Sequence, residues 1–205
     1  MGDYTPCAKI EAMQQVASTA SGRWYLMAVK NKDKMKEKET LSKPAECTGF
    51  NRESPCSCTV YDFNSAIAEP FVPEYNVTEN SYNMMSGKYD AHQLNMKVVD
   101  NSSSIFHVSL MGAENTTMTV RILGSDDYQS FMIVHICVGE DPDANMDMWF
   151  LSRSPSMSDT IVDELKRVLA RYDMTVDDMR VVVQSDCVYP PGQTQKSRRD
   201  KFRVF

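Results

Sequence analysis

The run Ser21–Lys30, SGRWYLMAVK, is the first strongly apolar stretch of the chain and carries one of its two tryptophans. Read locally, the ring of Trp24 has nothing to pack against. The core that receives it must be completed by a distant part of the chain. Downstream, short runs rich in β-branched and aromatic residues recur: CSCTVYDFN, SSIFHVSLM, TMTVRILG, YQSFMIVHICV and NMDMWFLSR, with weaker patterning in EYNVTEN and KYDAHQLNMKVVD. Asn-, Ser-, Asp- and Gly-rich segments (DNSS, GAENTT, GSDD, GEDPDAN) separate them. Strands of this length with turns at this spacing predict an all-β antiparallel barrel or sandwich.

One helix is predicted, at about 157–172, started by Pro155 and Ser156 or Ser158. Asp159 suits its first turn, and Lys166, Arg167 and Arg171 fall late. Ile161, Leu165, Val168, Leu169 and Tyr172 share one face, ready to dock on a sheet. A last strand, MRVVVQSDC, follows. The expected organisation is an arm over 1–20, a barrel with its helix and final strand over 21–188, and a basic, disordered tail over 189–205. The Lys- and Glu-rich run at 31–47 reads as a long solvated loop. Strands followed by a helix do not form the alternation of a Rossmann-type fold, and no Gly-rich phosphate loop is present.

The 205 residues suffice for one domain with a sizeable core. A formal charge of −6 argues against nucleic acid as a partner, and no apolar run reaches the length of a membrane span. MGDYTPCAKI lacks the basic start and apolar stretch of a signal peptide. That leaves a cytosolic protein or a mature secreted form with a start methionine. An even set of six spread cysteines (Cys7, Cys47, Cys56, Cys58, Cys137, Cys187) favours the second, with disulfides. Asn76, Asn101 and Asn115 stand in glycosylation sequons. CSC is too tight for a zinc clip and His92, His107 and His135 are isolated, so no metal site is expected.

Three places resemble the motifs of lipocalins. GRWY, with Gly22 and Trp24, resembles their G-x-W motif. SDDYQSFMIVHIC resembles their T-D-Y segment, with Asp127 and Tyr128 matching and Cys137 at a common family cysteine. FLSRSP supplies Arg153, the arginine that ends the eighth strand before the helix. The set, in this order, is most similar to the apolipoprotein D, bilin-binding and retinol-binding branch. Ser125-Asp126-Asp127 departs from the usual start of the second motif, the first loop is Lys-rich, and the cysteines exceed two bridges.

This resemblance implies an eight-stranded up-and-down barrel, closed at one end, with a helix outside and a ligand cavity within. It places the Arg153 guanidinium over the Trp24 indole at the closed end. It implies that Cys7 pairs with Cys137, that Cys56 or Cys58 pairs with Cys187, and that Cys47 takes the one left. Spacing alone leaves fifteen connectivities open for six cysteines. The expected pocket lining is Leu26, Phe106, Val108, Arg121, Leu123, Met132, Val134, Trp149 and Leu151. Strand alternation puts Phe106 and Val108 on one apolar face, leaving His107 outward, and Met132 and Val134 on another; the resemblance, by aligning Cys137 with the family cysteine, turns that second set inward and His135 outward. The family alignment aims Arg121 inward with Leu123. There it would need Asp147 or an anionic ligand as a partner; outward, its stem would lie along apolar surface.

The expected function is a secreted carrier that sequesters a small hydrophobic ligand such as a tetrapyrrole, retinoid or fatty acid. No cofactor is required and no catalytic residue is assigned. The alternative is a secreted interaction or inhibitor protein, acting on a protein or small-amine partner through the barrel-mouth loops. A monomer or weak homo-oligomer is expected.

Overall fold

The computed structural model describes residues 11–14, 20–31, 56–66, 74–84, 86–99, 104–111, 117–138 and 146–192. Eight antiparallel strands follow in chain order: β1 (Gly22–Asn31), β2 (Cys56–Ala66), β3 (Glu74–Asn83), β4 (Lys88–Val98), β5 (Ile105–Leu110), β6 (Thr117–Ser125), β7 (Phe131–Val138) and β8 (Met146–Ser152). Each pairs with its successor, and β1 pairs with both β8 and β2, so the sheet closes into a barrel. Closure leaves no free edge among these strands. The two weakly patterned runs form β3 and β4, ten and eleven residues long.

Alternation sorts the side chains into two cores. Trp24, Leu26, Tyr61, Val77, Phe106, Val120, Val134 and Leu151 belong to the cluster inside the barrel. Met27, Leu123, Phe131, Ile133 and Phe150 form an outer cluster with the helix α1 (Asp159–Ala170). Ser158 caps α1, its side chain accepting from the Ile161 amide, and Leu165, Val168 and Leu169 are the buried face. Gly124 lets the helix approach: a Cβ there would sit 2.8 Å from Val168 Cγ2.

β1 is shared between partners. Its first residues pair with β2, Gly22 opposite Phe63 through Tyr25 opposite Val60. Past an irregularity between Leu26 and Ala28, its outer neighbour is the two-residue β9 (Arg180–Val181). Val183 bridges Ser57 in parallel, and the Gln184 side chain donates to the carbonyls of both Leu26 and Thr59. The C-terminal segment is thus wedged between β1 and the start of β2. A disulfide joins Cys58 to Cys187, 129 residues apart. Cys58 is a bulge residue with φ of 50°, between Ser57 and Val60 in the β2 register. Of the two cysteines the sequence left open at this position, Cys58 makes the bond. Cys137 is also disulfide-bonded. Cys7, Cys47, the Cys56 side chain and the 31–47 loop beyond Asn31 lie outside the described residues.

The final strand is shorter than MRVVVQSDC suggests, and the expected tail does not begin at 189. Arg23 makes paired 2.8 Å contacts to Asp62 and donates to the Pro190 carbonyl, while Tyr189 packs edge-on to Tyr25. Residues 189–192 are therefore pinned to the barrel; residues 193–205 lie outside the described set.

Candidate functional site

The three motif segments meet at the end of the barrel where β1 begins. The Arg153 guanidinium lies 3.7 Å from the centre of the Trp24 ring. It also donates to the carbonyls of Arg23 and Tyr128, at 3.2 and 3.3 Å. The Trp24 indole donates to the Ala20 carbonyl at 2.8 Å. Gly22 has φ of 104°, and a Cβ there would come within 2.9 Å of Arg153 Nη1, so glycine is needed for the arginine to reach the ring. Asp127 and Tyr128 both take positive φ in the β6–β7 turn, and the buried Tyr128 hydroxyl meets Ser104 Oγ at 3.0 Å. The backbone of Met13 bonds to Ile122 and Ser104, holding that residue against this end of the barrel.

Between this base and the mouth lies a cavity with about 530 Å³ of space unoccupied by atoms, part of it open to solvent. Its wall is apolar and aromatic, including Tyr61, Leu94, Met96, Val120, Ile122 and Ile136. Five expected residues line it: Val108, Met132, Val134, Trp149 and Leu151. Leu26 and Phe106 are in the same interior core without lining the cavity.

Arg121 and Leu123 are corrections. Val120 and Ile122 face the cavity, so the residues alternating with them face out. Leu123 packs in the outer core under the helix. Arg121 is half-buried on the outer wall, with Nη1 3.9 Å from Cys137 Sγ. Burying the aliphatic side chains of Val120 and Ile122 is favourable whereas desolvating a guanidinium is costly, which fits this orientation. The Asp147 side chain, its expected partner, is outside the described residues. His107 is exposed. His135, opposite Arg121 in register, is 1% exposed, and burial together with the Arg121 charge lowers its pKa to about 4.

The sequence reading missed a carboxyl inside the barrel. On β3, Tyr75, Val77 and Glu79 alternate onto the inner face, and Glu79 is 2% exposed. It stands opposite Tyr61 on β2 and His92 on β4, one step nearer the mouth than Val77. Ser81 Oγ offers it a long contact at 3.5 Å, and Ser81 is linked to the buried Thr59 at 3.1 Å. Tyr61 lies close enough for its hydroxyl to interact with the carboxyl, both by charge and by hydrogen bonding. Burial raises the Glu79 pKa to about 7, against smaller lowering effects from Ser81 and Tyr61, and burial pushes the Tyr61 phenol well up. The Tyr61 ring stacks on Trp149, centroids 5.4 Å apart. Glu79 Oε2, Tyr61 Oη and Trp149 Nε1 are all buried, and the Trp149 indole N–H has no hydrogen-bonding partner among the described residues. The signal was present in EYNVTEN: a glutamate two places after an inward valine.

Asn76 is exposed on β3, where its side chain contacts that of Asn95 at 3.4 Å; Asn101 and Asn115 are outside the described residues. No group of His, Cys, Asp or Glu among the described residues is placed to hold a metal ion.

A closed barrel of eight antiparallel strands, an outer helix, an arginine-capped tryptophan at the base and an apolar interior define a ligand-binding barrel protein. The chain belongs to the lipocalin / cytosolic fatty-acid binding protein family, whose model matches residues 78–186. Among solved structures, the cockroach major allergen Per a 4 is similar over 88% of this chain and 96% of its own, with 19% identity and a TM-score of 0.61. The amine-binding protein of Rhodnius prolixus, in its tryptamine complex, is similar over 86% of each chain at 14% identity, with a TM-score of 0.62. Lobster apocrustacyanin A1 is similar over 90% of this chain and 93% of its own at 10% identity, with a TM-score of 0.56. Identities this low establish a shared fold. No sequence among curated proteins matches significantly.

Proposed function

We propose that this protein is a secreted carrier that binds and sequesters a small hydrophobic ligand in its barrel, in the manner of the apolipoprotein D, bilin-binding and retinol-binding branch. The observation that carries this is the apolar cavity in an otherwise closed barrel. Removing ligand surface from water contributes about 25 cal/mol per Å² of apolar area, so affinity needs no reacting group. The 530 Å³ includes open solvent and bounds the ligand from above. The disulfide-bonded Cys58, Cys137 and Cys187 support an oxidising, extracellular setting, where the exposed Asn76 would be available for glycosylation.

Native mass spectrometry and absorbance of protein purified from its source test this reading. A bound mass released on denaturation is the expected result. Val134→Trp, which fills the cavity, should abolish uptake of a neutral apolar fluorophore, N-phenyl-1-naphthylamine. A wild-type protein that carries no ligand and does not take up the fluorophore would refute the carrier role.

A further inference from the structure

The chain holds two dibasic pairs, Lys166–Arg167 and Arg198–Arg199, and the carrier reading uses neither. Such pairs suit endoproteases whose clefts are lined with carboxylates, because an arginine fork makes paired, charge-assisted hydrogen bonds there. The cleft takes its substrate as an extended strand, so a pair is cut only where the backbone can be drawn straight. The fold separates the two pairs on this requirement.

Lys166 and Arg167 lie within α1, ion-paired to Asp163 and Glu164 at 3.1 and 2.6 Å. The bond after Arg167 leads directly into the buried Val168 and Leu169, and Val168 abuts Gly124 of the barrel wall. Straightening that backbone strips the helix from the sheet, so a cut there requires the protein to open first. Arg198–Arg199 stands beyond the last anchors of the C-terminal segment. Those anchors are the Cys58–Cys187 disulfide, the Arg23 bond to the Pro190 carbonyl, and Gly192, where a Cβ would sit 3.3 Å from Arg23 Nη2. Arg199 is seven residues past Gly192, a stretch that spans about 23 Å when extended, enough to carry the pair clear of the wall. Lys196 adds a third basic side chain three places before Arg199.

We propose that the Arg199–Asp200 bond is a maturation cleavage site, hydrolysed by an endoprotease whose acidic subsites take Arg199, Arg198 and Lys196. Water adds across the peptide bond: Arg199 keeps a carboxylate and Asp200 leaves with a free amine. The cut removes Lys201 and Arg203 together with the aromatic Phe202 and Phe205. The described contacts of the C-terminal segment all lie before it, so the disulfide to Cys58 and the Arg23 contact are kept. The inference rests on the secreted setting of the carrier reading and is independent of the ligand.

Purified kexin, an endoprotease that cuts after dibasic pairs, tests the site on the folded full chain with disulfides intact, read by intact mass. One cut, after Arg199, is expected, with the bond after Arg167 untouched. Arg199→Ala should slow that cut at least about hundredfold, because the cleft's carboxylates lose their partner. Lys196→Ala should slow it less. The clipped protein should keep the urea midpoint of the uncut chain. No cut after Arg199, or a cut after Arg167 at a comparable rate, overturns the proposal. The C-terminus of protein purified from its source is the second measurement. A chain ending at Arg199, or at Ser197 once the two arginines are trimmed, is expected; one that retains Asp200 overturns maturation at this bond. The carrier reading falls separately: protein that ends at Arg199 yet holds no ligand and takes up no N-phenyl-1-naphthylamine refutes that reading and leaves the cleavage standing.

Discussion

Glu79 gives the fold a pH-dependent weakness that can be measured without any ligand. Its pKa rises from an ordinary 4.5 to about 7 because it is buried. Between those values the folded protein holds a proton that the unfolded chain has released. Stability from this group is therefore fully present below about pH 4.5 and is lost as pH rises through 7. At 1.36 kcal/mol per unit, the shift amounts to about 3 kcal/mol. Glu79→Gln removes the proton and with it the slope. Urea unfolding followed by tryptophan fluorescence, with disulfides intact, should show wild type losing about 3 kcal/mol relative to Glu79→Gln between pH 4 and 8. Other groups, His135 among them, titrate in both proteins and cancel in the difference. A difference that stays flat across that range, or one that favours wild type as pH rises, would refute the burial argument.

Arg153→Ala should cost about 1–3 kcal/mol, because it removes the ring contact to Trp24 and hydrogen bonds to two carbonyls; denaturant midpoints check this. Arg153→Lys should recover little, since an ammonium cannot stack as a planar guanidinium does. The His135 imidazole, followed by NMR, should titrate near pH 4, and Arg121→Met should move the midpoint upward by removing the neighbouring positive charge. Stability linked to this histidine is present above its ordinary 6.5 and is lost as pH falls through 4, the reverse of Glu79. Replacing Cys58 and Cys187 together by alanine should lower unfolding stability by about 2–4 kcal/mol, measured in urea.

The base of the barrel was legible because its requirements are local and chemically narrow. Gly22 must lack a Cβ, Trp24 must be a large flat ring, and Arg153 must be a planar cation. Strand orientation was harder where both faces are apolar. In TVRIL, Val120 and Ile122 line the cavity while Leu123 lies under the helix, so hydrophobicity alone cannot say which set points inward. Arg121 was the one polar marker, and the family alignment sent it the wrong way. Glu79 escaped notice for the opposite reason: a carboxyl in a mixed polar strand reads as solvent-facing, and only its alternation with Val77 marks it as inward. The choice between Cys56 and Cys58 needed the bulge, which no spacing rule encodes.

The wedging of residues 180–184 between β1 and β2 has a consequence for self-association. Without that segment, the later half of β1 and the start of β2 would present unpaired backbone groups to each other across a gap. An exposed strand edge is a template for another chain. Cys187 anchors the wedge to Cys58 at one end, and the Arg23 contact to Pro190 holds it just beyond. Reduction or clipping there would leave the eight-stranded scaffold in place but open a lateral seam. A second molecule could then donate its own C-terminal segment to that seam, turning an intramolecular plug into an exchanged one.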